Sequence, residues 1–399
     1  MSPSSRLRRV YLLSFVESFA GVLLQRGLYF YTHDELGFGE SQNLWLALAS
    51  GIAYVIGAVS SHRVALRISE RWLLMATLIG PLVFHLLLTQ NQSTWLLIAL
   101  FPLIGMLQGF KWPVVESYLS AGLPPRELVR TLARFNVVWA SSVPIGLVAA
   151  GQLIGAAYPG ALFAAAAASN VLSIATAWPL PRRPEHLPDE HPERPNENEL
   201  RRLGELLGSA RWCMLSSYAL MFLLAPLMPT LFADLGLDVG VATAAAGLLD
   251  VARLACFAWL GRQLAWRGRT WPHVAAILAL PIGFALVLLG NTLTWVIAGE
   301  ALFGLAAGFV YTAALYYAQL VKNASVDAGG AHEGLIGLGF ALGPLAGLAG
   351  SFATRWMQNH ALATLACTAP FVLAFGALSL RPLLTSSSRV PPPIPNSNA

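Results

Sequence analysis

The stretch PRRPEHLPDEHPERPNENELRRLGELLGSAR, residues 181–211, lies at the middle of a chain of 399 residues and differs in composition from the sequence on either side. It holds 13 of the chain's 45 Asp, Glu, Lys and Arg residues, together with five prolines. Such a composition cannot bury enough apolar surface to fold alone, so the stretch is predicted to be an exposed linker. Residues 199–209 place charge on one helical face and leucines on the other, which is typical of a helix lying on a membrane surface. These leucines are Leu200, Leu203, Leu206 and Leu207.

Outside this stretch the chain is apolar. Hydrophobic residues make up 56% of the sequence and charged residues 11%, with a mean hydropathy of +0.60, whereas about a quarter of the residues of a soluble domain are charged. The chain is therefore predicted to be an all-α polytopic membrane protein. Its basic N-terminus resembles that of a signal peptide, but the following apolar run continues to Tyr31 and is long enough to be a retained spanning helix.

Twelve apolar segments have about the length of 20 residues that a bilayer core requires. The predicted spans are 10–33, 41–61, 72–90, 95–118, 131–153, 159–179, 212–233, 241–261, 271–290, 294–320, 330–353 and 361–380. An even number of spans places both termini and the linker on the same side of the membrane.

The basic residues predict which side that is. Of the 25 Lys and Arg residues, 21 fall on the side of the linker, only Arg355 falls in the opposite loops, and Arg26, Lys111 and Arg253 lie within spans. Short cytoplasmic loops carry an excess of positive charge, so the termini and linker are predicted to be cytoplasmic in a multi-pass protein of the cell (inner) membrane. This location of the charges also accounts for the basic pI of about 9.3 without a nucleic-acid partner.

One internal repeat relates the two halves of the sequence at an offset of 199 residues. The pattern Gly-x-x-x-Gly-Phe at residues 105–110 recurs at residues 304–309. The same offset relates Glu35 to Asp234, Arg63 to Arg262 and Trp72 to Trp271. A constant offset at separated places predicts two pseudo-symmetric six-helix bundles. The predicted organisation is a first bundle at 1–180, the linker at 181–211, a second bundle at 212–384 and a disordered tail at 385–399.

Three local motifs resemble those of the major facilitator superfamily of transporters. They are Gln108-Gly109 followed by Pro113, Arg130 with Asn136 and Pro144, and the glycine run from Gly337 to Pro344. Together with the two halves and the charged linker, the resemblance covers nearly the whole chain, although no subfamily can be assigned. It implies a monomeric secondary transporter of a small organic solute that works by alternating access, coupled to protons and favouring export. A non-transporting membrane sensor or assembly protein that retains this fold remains the alternative.

Ionisable side chains within spans are costly, so their default interpretation is functional. The predicted substrate and proton pathway consists of Glu17, Arg26, Lys111, Asp250, Arg253 and Glu300. Counting a rise of about 1.5 Å per residue puts Glu17 and Lys111 at similar depths, and Arg26 and Glu300 at similar depths on the other side. Asp250 and Arg253, spaced i, i+3, share a helical face near the midplane and can form an ion pair.

Glu17 and Glu300 have no charged partner on their own helices and are predicted to carry protons, because an apolar setting favours a protonated carboxyl group. Two alternatives stay open: Lys111 extends to the lipid headgroups, or the Asp250–Arg253 pair is purely structural. Glu116 is predicted at the membrane interface, His332 and Glu333 at the solvated surface, and His85 in the core.

The aromatic residues Trp112 and Tyr311 are predicted to line the cavity, with core packing as the alternative. The mixed charges favour neither a purely cationic nor a purely anionic solute. Three cysteines, Cys213, Cys256 and Cys367, lie in apolar runs without ligand spacing, so no metal site or disulfide is predicted. Without a phosphate-binding loop or an HExxH motif, the sequence predicts no enzyme and no cofactor.

Overall fold

A computed structural model describes residues 3–123, 125–156, 158, 160–185, 197–263, 265–321 and 326–386. These residues form fourteen helices and no strand, as predicted for an all-α protein. The helices are α1 (Pro3–Gln25), α2 (Gly27–Leu36), α3 (Glu40–Ile68), α4 (Glu70–Gln90), α5 (Thr94–Ser120), α6 (Pro125–Ile154), α7 (Ala161–Ala177), α8 (Glu197–Asp234), α9 (Val239–Ala246), α10 (Leu248–Arg262), α11 (Trp271–Leu288), α12 (Leu293–Val321), α13 (Val326–Met357) and α14 (His360–Ser386).

The fourteen helices make twelve spans because two spans are interrupted. The first predicted span consists of α1 and α2, which are separated at Arg26, and the eighth consists of α9 and α10, which are separated at Gly247. Within the described residues, ten segments are long and apolar enough to cross a membrane, and Ala161–Ala177 is a shorter apolar helix. The predicted count of twelve is consistent with this architecture.

The structure differs from the prediction at the linker. Helix α8 begins at Glu197 and continues to Asp234 without interruption, so the predicted boundary between residues 211 and 212 lies inside a helix. Leu203, Leu206 and Leu207 are buried in the protein core rather than facing a membrane surface. Arg202 Nη2 also donates a hydrogen bond to the Gly268 carbonyl oxygen at 2.6 Å. Helix α14 continues to Ser386, two residues into the predicted tail. Residues 186–196 of the predicted linker and residues 387–399 of the predicted tail lie outside the described residues.

The internal repeat recurs in the packing of the two halves. A Cβ atom on Gly105 would overlap the Ser50 carbonyl oxygen, and a Cβ atom on Gly304 would overlap that of Leu249. The second glycine of each motif repeats the contact one turn later: Gly109 faces the carbonyl oxygen of Tyr54, and Gly308 that of Arg253. The contacted residues correspond as well, because Ser50 and Leu249 are 199 positions apart, and so are Tyr54 and Arg253. The glycines therefore allow α3 and α5, and their counterparts α10 and α12, to approach closely.

Close contacts between the halves lie along two seams. Helix α3 packs against α13, where a Cβ atom on Gly51 would overlap the Phe340 carbonyl oxygen. Helix α6 packs against α9 and α10, where Gly151 faces Thr243. We call the end of the bundle near Pro181, whose carbonyl oxygen accepts a hydrogen bond from the Tyr118 hydroxyl at 2.5 Å, the linker end. The two seams enclose a central space between the halves.

Candidate functional site

A cavity of about 130 Å³ lies between the two halves. Both halves contribute to its wall, and most of its lining side chains are aromatic, charged or amide-bearing. They include Glu17, Gln25, Arg26, Tyr54, Gln108, Trp112, Phe135 and Trp139 from the first half, and Tyr218, Met221, Phe222, Asp250, Arg253, Tyr311 and Glu333 from the second. A partly apolar cavity with a few charged groups at a domain interface is the usual form of a small-molecule site.

The two interrupted spans bring opposite charges together across the cavity. In a continuous helix the N–H of Asp250 would donate to the Ala246 carbonyl oxygen. Here that N–H donates to Gly247 O at 3.0 Å, and Ala246 O instead accepts a hydrogen bond from Arg26 Nη2 at 2.9 Å. Arg26 Nη1 forms an ion pair with Asp250 Oδ2. The break in each span therefore supplies one partner of a buried contact between the halves.

Arg253 adds a second cation to this pair. Its Nη2 lies 3.1 Å from Asp250 Oδ1, which realises the predicted i, i+3 ion pair. Its guanidinium carbon lies 4.8 Å from the centre of the Trp139 ring, and its Nε has no hydrogen-bond partner among the described residues. One carboxylate thus serves two buried arginines. The cluster of Arg26, Asp250 and Arg253, which we call the bridging cluster, carries one net positive charge.

A second buried network lies entirely in the first half. Lys111 Nζ is 2.5 Å from Glu17 Oε2, so the predicted contact between Glu17 and Lys111 is present and Lys111 does not extend to the headgroups. Asn170 Nδ2 donates to Glu17 Oε1 at 3.1 Å, and Asn170 Oδ1 lies 2.7 Å from His85 Nδ1. His85 is buried, as predicted for a core histidine. These four residues form what we call the first-half network.

Glu300 is isolated by comparison. Its side chain is fully buried, and neither carboxyl oxygen has a hydrogen-bond partner among the described residues. Arg26 and Asp250 are the charged residues in its electrostatic range. The similar depths of Glu300 and Arg26 do not produce an ion pair, because Arg26 is engaged by Asp250. Glu300 is thus in electrostatic range of the bridging cluster and is not among the residues lining the cavity.

Three residues predicted to be at the surface or interface are buried. Glu116 is 2% exposed, His332 1% and Glu333 4%. The solvated surface predicted for His332 and Glu333 was wrong because it judged each helix singly, whereas here α5 of one half and α13 of the other cover each other's residues. The membrane-interface depth of Glu116 stays a prediction. The Tyr54 hydroxyl donates a hydrogen bond to Glu333 Oε2, so this contact also joins the halves.

Both predicted cavity aromatics, Trp112 and Tyr311, line the cavity. No feature of the sequence singles out the other five aromatic residues that line it, because core packing explains an aromatic residue within a span equally well. They are Tyr54, Phe135, Trp139, Tyr218 and Phe222. Lys111 Nζ lies 5.1 Å from the centre of the Trp112 ring, and the rings of Trp139 and Tyr311 meet edge to face at 5.3 Å. The aromatic wall thus packs against both charged networks.

Most of the chain matches a known protein family. Residues 10–344 match the sequence profile of the Major Facilitator Superfamily. Comparison with curated protein sequences returns no significant match.

Two solved structures show the same fold. The nucleoside transporter NupG superposes with a TM-score of 0.65 at 12% sequence identity, covering 96% of this chain and 100% of that one. The human organic anion transporter MFSD10 (TETRAN) superposes with a TM-score of 0.63 at 16% identity, covering 97% and 100%. At these identities the likeness concerns the fold and not the solute.

Proposed function

The chain belongs to the Major Facilitator Superfamily, and we propose that it is a secondary active transporter which moves a small organic solute through the central cavity by alternating access, coupled to protons. The observation that carries this proposal is the ion pair between Arg26 and Asp250, which joins the two halves beside a cavity that both halves line. When one half rocks against the other, the two residues of such a pair move apart, so the pair must break in one of the two states of the transport cycle. The family and fold are those of a transporter and not of an enzyme.

The charges of the cavity favour a solute that bears an anionic group. Glu17 is neutralised by Lys111, and Asp250 neutralises one of its two arginines. Arg253 lines the cavity with a buried Nε that has no hydrogen-bond partner in the part of the chain that the structure describes, and a guanidinium group can bind a carboxylate through two parallel hydrogen bonds. The Trp139 ring beside it offers an apolar face to the rest of the solute. We therefore assign Arg253 to the anionic group and Trp139 to the solute's apolar part.

Glu300 is the residue best placed to couple the solute to protons. When Glu300 is ionised, it balances the net positive charge of the bridging cluster; when it is protonated, that charge is left for an anionic solute. Solute and proton are then bound together, which favours their movement in the same direction. Export is the direction favoured from the sequence. With co-transport of solute and proton, export requires an outward solute gradient that exceeds the inward proton gradient. The vesicle assay described below therefore also reports the direction of transport.

Glu17 and Lys111 receive a different role. Their contact closes inside the first half, and Glu17 already has two partners. We assign these residues to positioning the cavity wall, including Trp112 above Lys111.

The test is uptake of a panel of organic acids, amines and neutral metabolites into sealed vesicles that contain the purified protein, with and without an imposed pH gradient. We expect uptake of an organic acid that the gradient accelerates, and its loss in the variant Arg253→Gln. Arg71→Gln is the matched control, because Arg71 also stacks on tryptophan, 5.5 Å from the Trp72 ring centre, but outside the cavity. Binding of a solute without any transport would support the non-transporting sensor instead.

A further inference from the structure

A separate group of buried polar side chains lies at the linker end of the cavity, where α5 of the first half meets α13 of the second. It comprises Glu116, His332 and Glu333, and one ligand-type atom from each lies within 4.8 Å of the others. We call these three residues the trans-half trio. All three are at most 4% exposed. None of the three has a role in the solute transport proposed above.

The hydrogen-bonding capacity of the trio is mostly unused. Glu116 Oε2 and both ring nitrogens of His332 have no hydrogen-bond partner among the described residues, whereas Glu333 Oε2 accepts a hydrogen bond from the Tyr54 hydroxyl. Buried polar atoms without a partner are costly, so each one calls for an explanation such as a bound ion. The unpartnered atoms here are a carboxylate oxygen and imidazole nitrogens, which are metal-ligating groups.

The backbone around the trio leaves room for this arrangement. A Cβ atom on Gly329 would lie 2.7 Å from Glu116 Oε2, so glycine at this position leaves the carboxylate room to lie close to the α13 backbone. The Tyr311 ring meets His332 edge to face at 5.1 Å and fixes the plane of the imidazole. The Tyr54 hydroxyl orients Glu333 in the way that outer hydrogen bonds orient metal ligands.

We propose that Glu116, His332 and Glu333 bind one divalent transition-metal ion of the zinc type, which bridges the two halves. Metal–ligand bonds of about 2.1 Å place ligand atoms at most about 4.2 Å apart, so small side-chain rotations bring the trio from 4.8 Å to a bonded geometry. Two carboxylates and a neutral imidazole match the charge of a divalent cation, and an imidazole ligand favours zinc over magnesium or calcium.

The neighbouring charges leave the carboxylates available. Lys111 is in electrostatic range of Glu333, but it is already paired with Glu17. Among the described residues, Arg211 is a second cation in electrostatic range of the trio, where it acts on His332. Glu333 also lines the cavity, which gives a metal ion a route of entry.

The consequence of the site goes beyond solute transport. Because Glu116 belongs to one half and His332 and Glu333 to the other, a bound ion ties the halves together at the linker end. The metal would therefore stabilise the state in which this end is closed and slow the conformational cycle. This is regulation by a metal ion, and its binding test does not depend on the identity of the solute or on transport at all.

The experiment is zinc binding to the purified, metal-free, full-length protein by equilibrium dialysis. We expect one tightly bound Zn²⁺ per chain, with affinity reduced at least tenfold in each of the variants His332→Gln and Glu116→Gln. His360→Ala is the matched control, because His360 Nε2 also lies 3.1 Å from a carboxylate, that of Glu40, but on a partly exposed surface. This control is expected to retain the buried site.

Three results would overturn the proposal: no zinc bound by the wild-type chain, unchanged affinity in His332→Gln and Glu116→Gln, or loss of the tight site in His360→Ala. Gel filtration and thermal unfolding show whether the variants fold. If both glutamine variants fail to fold, X-ray absorption at the zinc edge of the folded His360→Ala protein decides. One imidazole nitrogen with carboxylate oxygens supports the trio, and a shell of water oxygens alone contradicts it.

Discussion

The bridging cluster and the first-half network are both buried ion pairs beside one cavity, but they differ in which parts of the protein they connect. Glu17, Lys111, Asn170 and His85 all belong to the first half, so rocking of the halves leaves their contacts intact. Arg26 belongs to the first half and Asp250 to the second, so their contact changes whenever the halves move. We therefore assign the first-half network to the support of structure and the bridging cluster to the proposed transport cycle.

The largest effect is expected from Asp250→Asn. This substitution leaves Arg26 and Arg253 buried without a counter-charge, and we expect the free energy of unfolding to fall by about 5 kcal/mol, the upper end of the range for breaking a buried pair. Thermal and denaturant unfolding in detergent measure the change. The double variant Arg26→Gln/Asp250→Asn leaves one buried arginine, Arg253, without its counter-charge instead of two, so part of the lost stability should return while transport stays absent. Recovered transport would contradict the assigned role of the bridging cluster.

Lys111→Met is expected to have the next largest effect, about 3 kcal/mol of unfolding free energy. Its cost is lower because Glu17 keeps the hydrogen bond from Asn170. The double variant Glu17→Gln/Lys111→Met should recover both stability and transport, unlike the double variant of the bridging cluster. If this variant is stable but inactive, Glu17 carries part of the transport chemistry, as the sequence first suggested.

A conservative change at Arg253 separates binding from stability. Arg253→Lys keeps the charge but loses the planar group that stacks on Trp139 and the second parallel donor. We expect the apparent affinity for the solute to fall about tenfold, which corresponds to about 1.4 kcal/mol, with little change in unfolding. Concentration-dependent uptake measures this effect. Equal affinity in the two proteins would remove Arg253 from the solute site.

The smallest change in stability is expected from Glu300→Gln. Glutamine keeps the shape of a carboxyl group that has no hydrogen-bond partner among the described residues, so unfolding should change by less than about 1 kcal/mol. Proton coupling should nevertheless be lost: an imposed pH gradient should no longer accelerate uptake, while solute exchange without a gradient should persist. Undiminished acceleration by the gradient would assign coupling to another carboxyl group.

Much of the fold follows from the sequence because a membrane span has a fixed length and apolarity. The repeat at 199 residues also predicts packing, since Gly105 and Gly304 face equivalent carbonyl oxygens. The helix breaks at Arg26 and Gly247 are harder to predict. They depend on contacts between residues far apart in the chain, such as the one between Arg26 and the Ala246 carbonyl oxygen.

The contacts of the candidate site likewise fall into those that the sequence predicts and those that it does not. Spacing and depth predict the contacts Glu17–Lys111 and Asp250–Arg253, because both follow from helix geometry. Arg26 and Asp250 lie 224 residues apart in sequence, and nothing in either helix alone indicates that they meet. The burial of Glu116, His332 and Glu333 escapes prediction for the same reason, since it comes from the opposite half.

The most direct test of alternating access is to measure distances between the halves at both ends of the bundle by pulsed electron–electron double resonance. The native cysteines are first replaced, and spin labels are then placed on exposed residues: Arg63 and Arg262 at the linker end, Asn91 and Asn291 at the opposite end. On addition of a transported solute or a change of pH, one distance should lengthen while the other shortens. Two distances that stay constant while transport proceeds would contradict the proposed mechanism.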